Sequence, residues 1–246
     1  MLGQKKDVIL IVGGGSGIGK AIAEQLIALK EDIIIADINI NNWDTNQINN
    51  VVIYQLNVTD EESIIIMIEN FRTEDIYLKG LVYTVGKAVT LPLNSIKTKI
   101  YKELIELDTI SFFNLVETLA TQQLISEQGA SIVVISLVVG QYDSRGKTAY
   151  GLTKGAIDSG KKSLVLEMAS SKIRVNAIAP GTVQTEMLDK LISSIGEEEV
   201  NKMLLDYPLG IGYPQDISDL AVFLLSNQSK WITGSVITID GGYSAR

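Results

Sequence analysis

Tyr150 and Lys154 stand four residues apart in a segment of helical period, so the two side chains share one face. A phenol titrates near pH ~10, and an ammonium held beside it favours the phenolate, which suits proton exchange with a carbonyl or alcohol oxygen. The chain has no Cys and no His. That removes thiolate nucleophiles, disulfides, Ser-His-Asp triads and the commonest metal ligands, and leaves proton chemistry to Tyr, Lys and carboxylates. No metal site is expected.

A second group, Gly13-Gly14-Gly15-Ser16-Gly17-Ile18-Gly19, lies between an apolar run and a segment of helical period. Glycines there permit a tight turn and let a pyrophosphate reach backbone N–H groups at a helix N-terminus. A plain turn is the other reading of a glycine cluster, and the strand before and helix after favour the nucleotide. Asp37 ends the next apolar run, 18 residues after Gly19, near the spacing at which a carboxylate accepts both ribose hydroxyls of NAD. A carboxylate there repels a 2′-phosphate, and Ile38, Asn39 and Ile40 supply no cation to receive one. NAD is expected, with NADP less favoured.

The elements that must position these groups follow from composition and pattern. At 246 residues, 46% hydrophobic and 20% charged, the chain suits one large α/β domain, residues 1–246, and excludes a disordered or fibrous class. A net charge of -8 opposes nucleic-acid and anionic-membrane partners. The polar start and the lack of a transmembrane-length apolar stretch lead us to expect a cytoplasmic protein.

Seven short apolar runs read as strands buried on both faces: Val8 to Val12, Ile33 to Ala36, Val51 to Leu56, Leu81 to Val85, Ile132 to Ile135, Ile173 to Ile178 and Val236 to Ile239. Helical segments alternate with them over Gly17 to Lys30, Asp60 to Phe71, Lys99 to Glu127, Thr148 to Ser170 and Asp216 to Leu225. Thr185 to Tyr207 is too long for a simple connection and is expected to be a substrate lid, with Met187 facing the pocket.

Taken together, the glycine loop, Tyr150-x-x-x-Lys154, Arg174 to Gly181, Thr185 and the ending Ile232-Thr233-Gly234 to Asp240-Gly241-Gly242 resemble the short-chain dehydrogenase/reductase family over nearly the whole chain. The nearest branch in appearance holds the 3-oxoacyl-carrier-protein reductases and related sugar, polyol and hydroxysteroid dehydrogenases. The resemblance implies a single Rossmann-like doubly wound domain with a seven-stranded parallel sheet flanked by helices. It implies Tyr150 as acid/base, with Lys154 lowering its pKa and binding the nicotinamide ribose. Pro180, Gly181, Val183 and Thr185 would hold the nicotinamide, and Gly86, Asn57 and Val58 the adenosine side. It also implies a homotetramer or homodimer, built on the last strand and on Lys99 to Glu127 and Thr148 to Ser170, with Phe112, Phe113, Leu115 and Val116 as apolar material unless they pack on the sheet instead.

Several residues depart from the family pattern. The usual catalytic Ser, counted from Tyr150 or from Gly140, falls on Leu137, which has no hydrogen-bonding group. Ser136 replaces it only if the backbone bulges, and Ser144 is a further candidate. The helix Asn becomes Asp108, whose charge favours the Lys154 ammonium. Tyr83-Thr84-Val85-Gly86 keeps only the Gly of an Asn-Asn-Ala-Gly turn, Asn57 replaces an Asp, and Val12 replaces a Thr whose hydroxyl ties strand turns together.

The implied activity is hydride transfer between nicotinamide and a secondary alcohol or ketone, slowed by the missing donor. The alternative is a weakly active NAD-binding sensor or structural subunit. The substrate is a small molecule or an acyl-carrier-linked carbonyl compound. An acidic carrier calls for basic residues at the cleft: Lys172 and Arg174 are candidates, Gln122 to Ala130 offers only Glu127, and Lys97, Lys99 and Lys102 read more readily as a solvated helix start.

Overall fold

In a computed structural model that describes residues 5–43, 50–138, 146–193 and 196–245, the apolar runs form seven parallel strands in the order β3-β2-β1-β4-β5-β6-β7. They are β1 (Lys6–Val12), β2 (Ile33–Asp37), β3 (Val51–Gln55), β4 (Ile76–Tyr83), β5 (Ala130–Ile135), β6 (Ile173–Pro180) and β7 (Val236–Ile239). The helices are α1 (Gly17–Ala28), α2 (Glu61–Thr73), α3 (Thr98–Ile105), α4 (Ser111–Thr121), α5 (Thr148–Met168), α6 (Glu186–Ile192), α7 (Glu197–Leu205) and α8 (Pro214–Leu225). The chain folds outward in both directions from β1 and β4, so the strand order reverses at that pair, where doubly wound sheets open a crevice.

Alternation within strands divides the core into two layers. Val8, Leu10 and Val12 of β1, with Ile132 and Val134 of β5, pack under α2, α4 and α5 around Phe71, Phe112 and Leu115. Ile9 and Ile11, with Val133 and Ile135, pack under α1 and α8 around Ile22, Leu26 and Leu224. The expectation that every strand is buried on both faces fails at β3, where Val52 is exposed, and at β7, which is half-buried throughout. Both are edge strands, paired on one side only.

The single helix expected over Lys99 to Glu127 is divided. A π-helical turn, Glu106–Ile110, joins α3 to α4, and the helix stops at Thr121 because Gln123 takes a left-handed conformation, φ 57°. Phe112, Leu115 and Val116 are buried in the core, so of their two readings packing on the sheet holds and interface material does not, and Phe113 packs on Gly160 of α5.

Arg174 donates to the carbonyls of Leu224, Ser226 and Ile232 and so locks the end of α8 to β6. Lys161 is fully buried and donates to Gly234 O and Ser235 O, tying α5 to the turn before β7. Among the described residues no helix is long and apolar enough to cross a membrane, and no acidic cluster is arranged to hold a metal ion.

Candidate active site

Parallel strands bring their carboxyl ends to one edge, and this edge gathers the glycine loop after β1, Asp37 after β2, Thr84 to Gly86 after β4, Leu137 after β5 and Pro180 to Thr185 after β6.

The glycine loop is packed backbone on backbone. A Cβ on Gly19 would stand 2.2 Å from Gly13 O, so only glycine lets α1 start this close to β1. Gly17 has φ +52°, and a Cβ there would lie 3.5 Å from Thr185 Cγ2, so the loop faces Thr185 directly. Ser16 is exposed ahead of α1 without capping it by its side chain, and Ile18 is half-buried behind it. The N–H groups of the first turn are thus left for a ligand.

The hydroxyl missing at Val12 is supplied from the neighbouring strand: Thr84 Oγ1 donates to Val12 O at 3.0 Å and to Gly13 O at 2.9 Å. The segment after β2 adds a clamp, with Asn42 Nδ2 donating to Gly15 O and Trp43 Nε1 to Gly14 O. None of the three was legible as a loop-holding residue, since each acts across the strand order rather than along the chain.

Asp37 takes the expected place, with a refinement. Its Oδ2 accepts from Gly15 N at 2.8 Å and its Oδ1 from Asn39 N at 2.9 Å, so the carboxylate braces the loop that it faces. The Asn57 amide oxygen accepts from Thr59 N and Thr59 Oγ1, closing the turn into α2, which leaves its amide N–H groups to meet a base. The Val58 side chain is buried in the core, leaving its backbone as the part that can face a ligand.

The reacting side is built on the π-helical turn, which rotates Asp108 and Thr109 inward from an otherwise amphipathic face. Thr109 Oγ1 donates to Thr153 O, fixing the turn against α5. Asp108 Oδ1 accepts from Lys87 N at 3.1 Å and Oδ2 from Thr153 Oγ1 at 3.3 Å, and Lys154 Nζ lies 3.7 Å from Oδ2. Lys154 also donates to Ile135 O. A Cβ on Gly86 would come within 2.9 Å of Lys154 Nζ, so this glycine makes the room that the pair occupies.

Tyr150 is 9% exposed, with Lys154 Nζ 5.7 Å from its ring centroid. Burial pushes the Tyr150 phenol well above its usual range and the Asp108 carboxylate pushes it further. Lys154, paired with Asp108, does not offset that rise in the free protein. Burial likewise carries Lys154 below its ordinary value although Asp108 and Asp158 oppose the shift, and carries Asp108 upward against the attraction of Lys154.

Ser136 is not brought to Tyr150. Its side chain is buried beneath α5 beside Asp158, two turns below the tyrosine, and Ser136 Oγ and Asp158 Oδ1 are neighbours without a formed hydrogen bond. Leu137 follows at the strand end, half-buried, and Ser144 and Gly140 lie outside the described residues.

The expected lid consists of α6 and α7. Its two ends meet: Tyr207 Oη accepts from Thr182 N at 3.1 Å and bonds Thr182 Oγ1, and Val183 pairs with Gly212. Pro180 closes β6, Gly181 N donates to Ile239 O, and Met187 stands exposed on α6.

The chain is similar to known proteins in both sequence and structure. A family model described as enoyl-(acyl carrier protein) reductase matches residues 13–244. The 3-oxoacyl-(acyl-carrier-protein) reductase FabG of Thermotoga maritima is 32% identical over 242 residues, 96% of each chain. Carbonyl reductase family member 4 of Xenopus laevis is 31% identical over 96% of this chain and 97% of its own. In structure, a 4-hydroxyisoleucine dehydrogenase complexed with NADH matches with a TM-score of 0.90 at 27% identity, covering 98% of this chain and 100% of that one. A short-chain dehydrogenase family protein of Francisella tularensis matches with a TM-score of 0.88 at 30% identity, over 98% and 99% of the two chains. The chain is a member of the short-chain dehydrogenase/reductase family, an oxidoreductase fold that acts on CH–OH and C=O groups.

Proposed function

We propose that the protein is an NAD(H)-dependent oxidoreductase that interconverts a secondary alcohol and its ketone, with Tyr150 exchanging the oxygen's proton. The observation that carries this reading is the Tyr150, Lys154 and Asp108 cluster standing at the same sheet edge as the glycine loop. The close-packed glycines fit a dinucleotide: Gly17 and Thr185 face each other across the loop, and Gly86 leaves the Lys154 ammonium uncovered by a side chain. The NADH complex of the 4-hydroxyisoleucine dehydrogenase supports a nicotinamide cofactor in this fold.

The N–H groups at the start of α1, with Ser16, would bind the pyrophosphate, and Asp37 the adenosine ribose. Pro180, Gly181, Val183 and Thr185 would flank the nicotinamide, which supplies or accepts the hydride when bound. Lys154 would hold the adjoining ribose hydroxyls. Tyr150, kept as the phenol by burial and by Asp108, donates to the carbonyl oxygen as it gains negative charge. With Leu137 in the wall, that oxygen has one donor rather than two.

NAD is preferred to NADP because Asp37 opposes a 2′-phosphate and residues 38–43 carry no cation. Fluorescence titration with NADH and NADPH tests this. Tighter NADH binding is expected, and tighter NADPH binding would overturn the assignment of Asp37. A small-molecule substrate is favoured over a carrier-linked one, since Arg174 is committed to α8 and Lys99 pairs with Glu103. We further infer a cytoplasmic homotetramer, supported by the exposed Leu152, Ala156, Ser159, Ser163 and Leu166 along α5 and by the 93% exposed Trp231 beside β7.

A further inference from the structure

The cleft holds a second ammonium beside Tyr150 that the proton exchange does not use. Lys147 precedes Tyr150 by one turn at the start of α5, and its Nζ lies over the Tyr150 ring, 5.8 Å from the centroid. Lys154 approaches the same ring at 5.7 Å, but Asp108 answers its charge at 3.7 Å. Lys147 has no such counterpart: among the described residues none of the ion pairs includes it. Burial draws its ammonium below the ordinary range, and no carboxylate among the described residues opposes the shift. A half-buried cation of this kind is costly in the free protein and gains a charge-assisted bond when an anion arrives.

Gly146, next to Lys147, accepts from Leu91 N at 2.9 Å, which places Lys147 against the loop between β4 and α3. A cavity beside that loop has apolar walls, Leu91, Leu104 and Leu107 among them, and also the charged Lys87 and Glu103. Leu137 supplies no donor to orient a small ketone, so orientation has to come from elsewhere in the cleft. An ionic contact within one side-chain length of Tyr150 does that.

We propose that Lys147 is the anion-recognition residue of the substrate cleft, pairing with a carboxylate carried close to the carbonyl, so that the substrates are short oxo acids and the corresponding hydroxy acids. This rests on the oxidoreductase reading and specifies its substrate class. The carboxylate holds the carbonyl under Tyr150, and a neutral ester of the same skeleton loses that hold.

The test compares acetoacetate and 2-oxobutanoate with their methyl esters, and with dihydroxyacetone phosphate, as substrates for NADH oxidation by the wild type, Lys147→Met and Lys147→Arg. Taking the acid-to-ester ratio of kcat/KM within each variant cancels losses of folding or general activity. The wild type is expected to favour at least one acid by about 10-fold or more, through KM, the Met variant to approach parity and the Arg variant to regain the preference. Equal use of acids and esters by the wild type, survival of the preference in Lys147→Met, or preference for the phosphate would each overturn the carboxylate subsite.

Calorimetry of 3-hydroxybutyrate binding to the NADH complex separates this from the parent reading. If no compound is turned over, binding that weakens ~10-fold in Lys147→Met sustains the subsite while the oxidoreductase reading falls. Absence of Lys147-dependent binding there refutes the subsite, and turnover without acid preference refutes the subsite alone.

Discussion

Asp108 Oδ2 lies 3.7 Å from Lys154 Nζ, with the two side chains 0% and 3% exposed. A buried pair of this kind keeps a charge near the reacting centre only because each partner answers the other, so breaking it by removing one partner leaves an uncompensated charge. Its consequence reaches Tyr150, whose phenol is raised by burial first and by the Asp108 carboxylate second. The tyrosine is therefore stocked with its proton at neutral pH, which suits donation to a carbonyl.

Alcohol oxidation requires the phenolate and ketone reduction the phenol. Because the Tyr150 pKa is raised, oxidation should climb with pH across the alkaline range, while reduction stays level through neutrality. Asp108→Asn removes one of the two causes of that rise, so the oxidation profile should move to lower pH. The pH dependence of kcat/KM for both directions, from about pH 6 to 10, checks this. A shift of the Asn variant to higher pH would contradict it.

Leu137→Ser should restore a donor to the substrate oxygen and raise kcat by about 10-fold or more. Ser136→Ala should act on stability rather than on kcat, because its hydroxyl faces Asp158 beneath α5. Steady-state kinetics of the two variants on one substrate decide this. A fall in kcat for Leu137→Ser would show a pocket shaped around the leucine, and collapse of Ser136→Ala would place that serine in the reaction.

Thr84→Val deletes the hydroxyl that bonds Val12 O and Gly13 O while preserving shape. Leaving those carbonyls less satisfied should cost roughly 1 kcal/mol and loosen the glycine loop, weakening NADH binding by about 5-fold. Urea unfolding and NADH titration measure the two effects. An unchanged dissociation constant would show that the loop is held without Thr84.

Leu152→Asp or Leu166→Asp should dissociate the assembly, since both residues lie on the exposed face of α5. Light scattering of the wild type at micromolar concentration is expected to give a tetramer. A stable wild-type monomer would refute the oligomer.

The residues that sequence made legible are those whose signal is local. The glycine loop, Tyr150 and Lys154 declare themselves by spacing, and apolar runs such as Val8 to Val12 by length. What escaped depends on register between strands or on how a turn is wound. Thr84 does the work missing at Val12 because Val12 lies opposite Tyr83 in the β1–β4 pair, which no single segment reveals. The π-helical turn that aims Asp108 inward is hidden within an amphipathic stretch that reads as one helix. Asn42 and Trp43 reach back over the loop from a segment with no period of its own. The direction of Ser136 followed from strand alternation, but its partner Asp158 lies on a helix distant in sequence.

The central claim is that Tyr150 supplies the proton in a nicotinamide-dependent carbonyl reduction. The most direct measurement is single-turnover oxidation of bound NADH by a substrate of the wild type, followed by absorbance in wild type and Tyr150→Phe, with NADH affinity measured in parallel. The account predicts that the Phe variant binds NADH as tightly as the wild type and loses turnover by about 1,000-fold or more. Full activity in Tyr150→Phe would contradict it and assign the proton to another group.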